Sequence, residues 1–317
     1  MTIARRKQVR LDVTPYYHCV TRCVRRAFLC GQDALTGRDF SHRRRWIEQH
    51  ILRLSQAFCI DVAGYAVMSN HYHVVLHVDQ DQANRLSDTE VINRWLCLYK
   101  GPEVIRRYHA GESLNDDEAA AVQETLVQWR HELTNISRFM GHLNERIARR
   151  ANKEDNCKGR FWESRFRLQA ILDVKALLQT LCYVDLNPIR AKMAKTIQDS
   201  RHTSIRQRLR KYRHHLMAFT EPRSTDQKNQ PKHANRPTIP IAFKDYLALV
   251  DYTGRLIRKG KRGFISKEEP SILDVMGMTS SEWIDSSTQK RHRMPRALGG
   301  AEVIKQYCEA IGQRWVW

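Results

Sequence analysis

The sequence contains no apolar run near the length that a membrane helix needs, which is about 20 residues. Its first residues, MTIARRKQVRLDV, are charged, and no apolar stretch follows them, so we expect no secretory signal. Lipidation motifs and juxtamembrane basic clusters are also missing, which disfavours an anionic membrane as the partner. Together these absences predict a cytoplasmic protein that binds no membrane.

Closely paired cysteines are missing as well. The eight cysteines are scattered, and no two of them have the C-x-x-C spacing of common zinc sites. We therefore expect reduced, mostly buried thiols. A zinc site formed by His18, Cys19, Cys23 and Cys30 is a weaker possibility.

Acidic residues are few relative to basic ones. The chain has 54 Lys and Arg residues against 34 Asp and Glu residues, which gives a formal net charge of +20. Such a surplus opposes compaction unless an anionic partner offsets it. Nucleic acid fits best, because its phosphates release counterions as Lys and Arg neutralise them.

The hydrophobic pattern alternates irregularly between strand and helix periodicity. β-Branched and aromatic runs predict strands at 14–24, 59–68, 71–78 and 161–172, the second and third forming a hairpin around Ser69 and Asn70. Helical spacing predicts helices at 43–57, 134–152 and 174–186. This order predicts an α+β fold, specifically a ferredoxin-like antiparallel sheet with helices on one face.

Composition divides the chain of 317 residues further. Residues 1–222 form the predicted main domain, interrupted by a polar, helix-favouring insertion at about 80–130. Residues 223–240 are typical of a linker, and 241–317 of a small, basic, mainly helical C-terminal extension. The extension could clamp a DNA hairpin or dock on the main domain as a lid.

Two histidines share one face of the strand that begins at residue 71. Side chains alternate along a strand, so His71 and His73 project away from the apolar face that contains Tyr72. At about 6.6 Å apart along the strand, two imidazoles can lean toward one ion. Neutral imidazoles suit first-row divalent ions, and phosphate oxygens can complete the coordination of Mg²⁺ or Mn²⁺. The alternative is that the histidines merely face solvent on an edge strand.

Tyr183 and Asn187 stand four residues apart on a predicted helix, so they share one helix face. Pro188 disfavours helical geometry at Asn187, so the helix should bend or end there. A phenol with a pKa near 10 needs a nearby cation to attack a phosphodiester at neutral pH. The alternative is that Tyr183 covers the edge of the core and Asn187 only serves the turn.

Four motifs occur in a fixed order over roughly residues 10–205: MSNHYHVVLH, RFMGHLNERIARR, GRFWESRFR and YVDLNPIRA. In this order they resemble the REP-associated tyrosine transposases, which belong to the single-strand HUH transposase class. The resemblance implies a ferredoxin-like HUH catalytic domain over residues 1–222. The insertion and the C-terminal extension have no role in these motifs.

The resemblance also implies roles for individual residues. His71 and His73 would be metal ligands for Mg²⁺ or Mn²⁺, Asn187 the third ligand, and Tyr183 the nucleophile, so the catalytic residues are Tyr183, His71 and His73. The implied function is metal-dependent cleavage and rejoining of single-stranded DNA beside palindromic, hairpin-forming repeats, through a 5′-phosphotyrosine. We expect no small-molecule cofactor and favour a monomer over a homodimer. A replication-initiator or relaxase-type HUH nickase and a catalytically silent DNA-binding regulator remain alternatives.

Basic residues near these motifs are candidates for contacts with the DNA backbone. The predicted nucleic-acid-binding residues are Arg22, Arg25, Arg26, Lys158, Arg160, Arg165, Arg167, Arg206 and Arg210. Any one of them could instead be a solvated charge.

Overall fold

The computed structural model describes residues 4–24, 29–32, 37–210, 215–220, 236–257, 272–275, 277–279, 281–283 and 294–314. Its strands are β1 Tyr16–Arg22, β2 Ile60–Val67, β3 His71–Val78, β4 Arg167–Ile171, β5 Ala218–Phe219, β6 Thr238–Ile239 and β7 Ala297–Leu298. Its helices before β4 are α1 Arg5–Gln8, α2 Arg43–Ala57, α3 Gln80–Arg85, α4 Asp88–Leu96, α5 Glu103–His109, α6 Asp116–Glu132 and α7 Ile136–Glu154. After β4 follow α8 Val174–Asp185, α9 Asn187–Arg190, α10 Ser204–Leu209, α11 Phe243–Ile257, α12 Ile272–Val275 and α13 Ala301–Ala310. Among all the residues described above, no helix is long and apolar enough to cross a membrane.

The main sheet has the order β2-β3-β1-β4-β7. Its first four strands are antiparallel, and they follow the chain order β1, α2, β2, β3, α7, β4 once the insertion is set aside. This is the ferredoxin-like arrangement that the periodicity predicts, so the fold class is confirmed.

One face of this sheet carries the first core. The ring of Tyr72 and its neighbours on alternate positions pack against α2 and α7. Phe139, Met140 and Leu143 of α7 recur at helical spacing, so one side of the helix is buried while the other faces solvent. Asn135 caps α7 by accepting hydrogen bonds from the backbone nitrogens of residues 137 and 138.

The opposite face of the sheet is also covered, so the prediction of helices on one face only is wrong. Helix α8 lies on that face and buries Leu177, Leu178 and Leu181 in a second core. Because α8 is apolar around most of its circumference, it needs neighbours on two sides, and α11 supplies the outer one. Gly64 allows the close approach, since a Cβ there would lie 2.7 Å from a methyl carbon of Leu181.

The insertion between β3 and α7 is helical, as predicted. Helices α3 to α6 enclose their own core, in which the rings of Trp95 and Trp129 stack with centroids 4.9 Å apart. Reciprocal side-chain to backbone hydrogen bonds start α4 at Ser87 and α6 at Asn115.

The mainly helical C-terminal extension docks on the main domain. Strand β7 pairs with β4 and forms the edge of the sheet, and the Tyr307 hydroxyl donates to the carbonyl of Gln8 at 2.8 Å. Tyr246 of α11 donates to the Asp185 carboxylate of α8 at 2.6 Å. Of the predicted linker, residues 223–235 lie outside the described residues, and the boundaries of the three segments stay predictions.

Candidate active site

His73 lies at the centre of the covered sheet face. On β3 it pairs with Val20 of β1 and Ala66 of β2, and its side chain is only 4% exposed. The Nδ1 atom of His73 is 2.9 Å from Nε2 of His18, and its Nε2 atom is 3.1 Å from the side-chain nitrogen of Asn187. The imidazole is therefore held from both ring nitrogens.

His71 stands at the start of β3, half-buried, beside His73. The two rings are 4.9 Å apart between centroids and nearly perpendicular, at 77°. The Nδ1 atom of His71 is 2.6 Å from the side-chain oxygen of Asn70. The structure thus brings the two histidines together on one face, as the strand alternation predicts.

The histidines of this cluster favour the neutral form. Burial lowers the pKa of His71 to about 4, and the charge of Arg22 adds to the effect. Burial likewise lowers the pKa of His18 to about 4. For His73 burial, followed by the charges of His71 and His18, lowers the pKa well below its ordinary value. Neutral imidazoles keep a lone pair that can bind a metal ion.

The end of α8 brings Tyr183 and Asn187 to the same place. Helix α8 ends at Asp185, and a short second helix with Pro188 in its first turn begins at Asn187. The Tyr183 ring meets the His73 ring edge-on, with centroids 5.6 Å apart. The Pro188 break therefore turns Asn187 toward the histidines while Tyr183 stays beside them.

Arg190 is a site residue that the sequence reasoning missed. Its guanidinium carbon lies 5.0 Å from the centroid of the Tyr183 ring, so a cation stands beside the phenol. Burial lowers the pKa of Arg190, while the neighbouring Tyr183 opposes that shift. Its position seven residues after Tyr183, two helical turns on, was a signal that could have found it.

The donor set around His73 fits a divalent ion. Two neutral imidazoles and the amide of Asn187 are ligands that Mn²⁺ or Mg²⁺ accepts. Asn187 would bind such an ion through its side-chain oxygen, and the nitrogen of the same amide lies 3.1 Å from Nε2 of His73, so the two side chains are neighbours at the site. Within the described ranges no group of three or more His, Cys, Asp or Glu side chains could hold a metal. The amide of Asn187, which contacts His73, would complete such a donor set.

The zinc possibility at His18 and the first cysteines finds no support in these ranges. His18 faces His73, whereas Cys19, the next residue of the same strand, points into the core on the other face. Cys19, Cys23 and Cys30 are buried thiols, as expected of structural cysteines.

Two predicted DNA-contacting arginines lie on the histidine face. Arg22 pairs with His71 across β1 and β3, and Arg167 pairs with Val20 across β1 and β4. Directly paired residues project from the same face of a sheet. Both side chains are exposed, so they form a basic rim beside the histidines.

Three more candidates lie on the loop before β4. Lys158, Arg160 and Arg165 are exposed there. The strand predicted for 161–172 is wrong over its first six residues, because only a single bridge, Cys23 with Trp162, forms before β4 begins at Arg167. The loop still lies alongside the end of β1, since the backbone nitrogen of Glu163 donates to the carbonyl of Arg22 at 2.9 Å.

The remaining candidates are separate from this rim. Arg206, half-buried, and Arg210, exposed, lie on and just after α10, whose N-cap residue Thr203 bridges to Ala66 on the outer strand β2. The structure places them at the other edge of the sheet from Arg167. Arg25 and Arg26 lie outside the described residues.

Comparison with known proteins gives one structural likeness to report. No protein-family model and no curated protein matches the sequence. A solved structure of a REP-associated tyrosine transposase bound to a REP hairpin is similar to this chain over 73% of its length and 98% of that chain. The two share 11% identity, with a TM-score of 0.39. That structure is of the family that the four sequence motifs resemble.

Proposed function

We propose that this chain is a metal-dependent DNA transposase that cleaves and rejoins single-stranded DNA through a 5′-phosphotyrosine. The observation that carries the proposal is the contact between β3 and the distant end of α8, which places Tyr183 and Asn187 against His73. Folding alone does not require a protein to bring a helix-borne phenol, an amide and two neutral histidines together on one sheet face.

His71, His73 and Asn187 would hold Mg²⁺ or Mn²⁺, which when bound polarises a phosphate oxygen. The Tyr183 oxygen attacks phosphorus and loses its proton, the bond to the 3′ oxygen breaks, and that oxygen leaves as a free hydroxyl. Arg190 and the rim arginines Arg22 and Arg167 offset the charge that develops on the phosphate. A 3′ hydroxyl then reverses the reaction, so rejoining needs no ATP.

We propose palindromic, hairpin-forming DNA repeats as the target, following the family resemblance of the motifs. The net charge of +20 supports a polyanionic partner. Hairpin shape together with unpaired flanking bases would supply the specificity. No small-molecule cofactor takes part in this scheme.

The proximity of Tyr183 to His73 within one chain supports an active site completed in cis. A second protomer is then not needed to supply the nucleophile. We propose a monomer as the active form for this reason.

The test is covalent capture. Purified full-length chain is incubated with Mn²⁺ and labelled single-stranded oligonucleotides that carry a hairpin and randomised flanking tails, then denatured. We expect an adduct that survives denaturation and that Tyr183→Phe abolishes. Tyr16→Phe is the matched control, because Tyr16 is a half-buried phenol on the same sheet face, packed on His77, and should keep the adduct.

The outcomes separate the alternatives. An adduct that persists in Tyr183→Phe overturns the assignment of the nucleophile. Tight hairpin binding without any adduct would favour the silent regulator, and sequencing the captured tails would separate a transposase-like hairpin preference from the site of a nickase.

A further inference from the structure

His18 is a buried histidine to which the proposed reaction assigns no role. It lies on β1, on the same face as His73, and is 4% exposed. Its Nε2 atom is 2.9 Å from Nδ1 of His73, and its Nδ1 atom is 3.2 Å from the side-chain oxygen of Gln169 on β4.

The line of hydrogen bonds continues to the C-terminal extension. The side-chain nitrogen of Gln169, also buried, donates to the carbonyl of Pro295 at 2.9 Å. That carbonyl is held in place because the next residues pair with β4, where the backbone nitrogen of Ala170 donates to the carbonyl of Arg296 at 2.7 Å.

The carbonyl of Pro295 determines which atom donates and which accepts in each of these hydrogen bonds. A backbone carbonyl only accepts, so Gln169 must present its NH₂ to Pro295 and its oxygen to His18. The oxygen accepts from Nδ1–H of His18, and the Nε2 atom of a neutral His18 then carries no proton. Nδ1–H of His73 is the donor that this bare nitrogen requires.

His73 is thereby left with a bare Nε2 atom. That atom faces the side-chain nitrogen of Asn187 at 3.1 Å, which is a donor and so agrees with the same assignment. In this arrangement each of the four contacts has one donor and one acceptor. If the Gln169 amide were turned around, its Oε1 atom would face the carbonyl oxygen of Pro295, and two acceptors would meet.

We propose that the line His73–His18–Gln169–Pro295 holds His73 in the Nδ1–H tautomer and so makes its Nε2 atom the one available to a metal ion. His18 and Gln169 are positioning residues in this scheme, and the C-terminal extension acts on the site through Pro295. The inference deepens the proposed function, because the value of a bare Nε2 atom depends on a metal at His73. Hydrogen-bond partners of metal-bound histidines commonly fix the ring in this way, and their loss lowers metal affinity by about 10- to 100-fold.

The first test reads the tautomer directly, without metal or DNA. Full-length chain labelled with ¹⁵N in its histidines is studied by long-range ¹H–¹⁵N correlation spectroscopy at neutral pH. We expect His73 to show a protonated Nδ1 and an unprotonated Nε2, and His18 the same. An Nε2–H tautomer at His73 in the wild-type chain overturns the inference, and this reading depends on no variant.

The second test measures Mn²⁺ affinity by the loss of the free-ion signal in electron paramagnetic resonance. His18→Phe and Gln169→Met should shift His73 toward a mixture of tautomers and weaken Mn²⁺ binding by about 10- to 100-fold. His50→Phe is the matched control, because the buried His50 also pairs with a histidine between α2 and α7, its Nε2 atom lying 3.1 Å from Nδ1 of the half-buried His142. It should leave both readings at the site unchanged.

Unchanged Mn²⁺ affinity in folded His18→Phe and Gln169→Met overturns the inference even if the wild-type tautomer is as expected. Failure of the proposed function gives a different pattern: the tautomer is the Nδ1–H form, yet no covalent adduct forms. Circular dichroism decides which variants are folded, and if neither is, the wild-type tautomer alone decides.

Discussion

The side-chain nitrogen of Asn187 lies 3.1 Å from Nε2 of His73, although 114 positions separate the two residues in the chain. The contact exists because α8 crosses the histidine face of the sheet and breaks before Pro188, so that the first residue after the break points back at β3.

Replacing Asn187 tests whether this contact marks a metal ligand. We expect Asn187→Ala to lower Mn²⁺ affinity by at least about tenfold, because it removes one of three protein ligands. Isothermal titration calorimetry measures the change. Asn93→Ala, an exposed asparagine on α4 in the insertion, is the control and should bind Mn²⁺ like wild type. Equal affinities in all three proteins would contradict the assigned ligand set.

Mixing inactive variants tests the cis arrangement of the site. Tyr183→Phe lacks the nucleophile and His73→Ala lacks a ligand, and in one chain the two rings lie 5.6 Å apart. We expect an equimolar mixture to form no covalent adduct with DNA on a denaturing gel. Recovery of adduct in the mixture would mean that a second protomer supplies the tyrosine. As a control, a mixture of wild type and Tyr183→Phe should form adduct in proportion to the amount of wild-type chain that it contains.

Salt dependence tests the basic rim. We expect Arg22→Gln and Arg167→Gln each to weaken binding of single-stranded DNA and to reduce the slope of log affinity against log salt by about 0.7, the value for one lost phosphate contact on a single strand. The loss should be similar across DNA sequences, because phosphate contacts carry no base information. Fluorescence anisotropy from low to moderate salt measures both quantities.

The matched control for the rim is Arg149→Gln. Its side chain is 80% exposed on α7, which covers the other face of the sheet, and it pairs with Glu145 four residues earlier. The slope should stay at the wild-type value. If Arg149→Gln changes the slope as much as the rim variants do, the binding surface is not confined to the histidine face.

Glu48 provides a pH test of how the edge of the sheet is stabilised. Its carboxylate, on α2, accepts hydrogen bonds from Tyr65 at 2.6 Å, from His202 at 2.8 Å and from Gln207 at 3.2 Å. Burial raises the pKa of Glu48, but the hydrogen bonds outweigh it, so the pKa falls below its ordinary value of 4.5. The stabilisation is therefore complete above pH 4.5 and is lost as the pH falls through the lower pKa of the folded state.

We expect Glu48→Gln to be less stable than wild type at pH 7, by roughly 1 to 3 kcal/mol, and the gap to narrow below pH 4.5. Urea unfolding between pH 3 and pH 7 measures the free energy of each. A gap that widens as the pH falls would contradict the direction of the shift. Glu124→Gln, at an exposed position of α6, should track wild type throughout.

Local patterns along the chain were enough to predict most of the secondary structure. The helix spacing at 43–57 and the cap at Asp173 depend only on residues within a few positions of one another. The alternation that puts His71 and His73 on one face is equally local, because it follows from the two-residue period of a strand. Motif order then indicated that Tyr183 and Asn187 belong to the same site.

Only the tertiary structure decided what surrounds those residues. Strand order puts His18 beside His73 and Gln169 beside His18, and no pattern within β1 or β4 encodes that register. Packing likewise decided that α8 covers the histidine face and that α11 covers α8, since the sequence of an apolar helix does not specify which surface the helix will bury. The same chain segments therefore specified the candidate ligands, while long-range strand pairing specified which ring nitrogen is left bare.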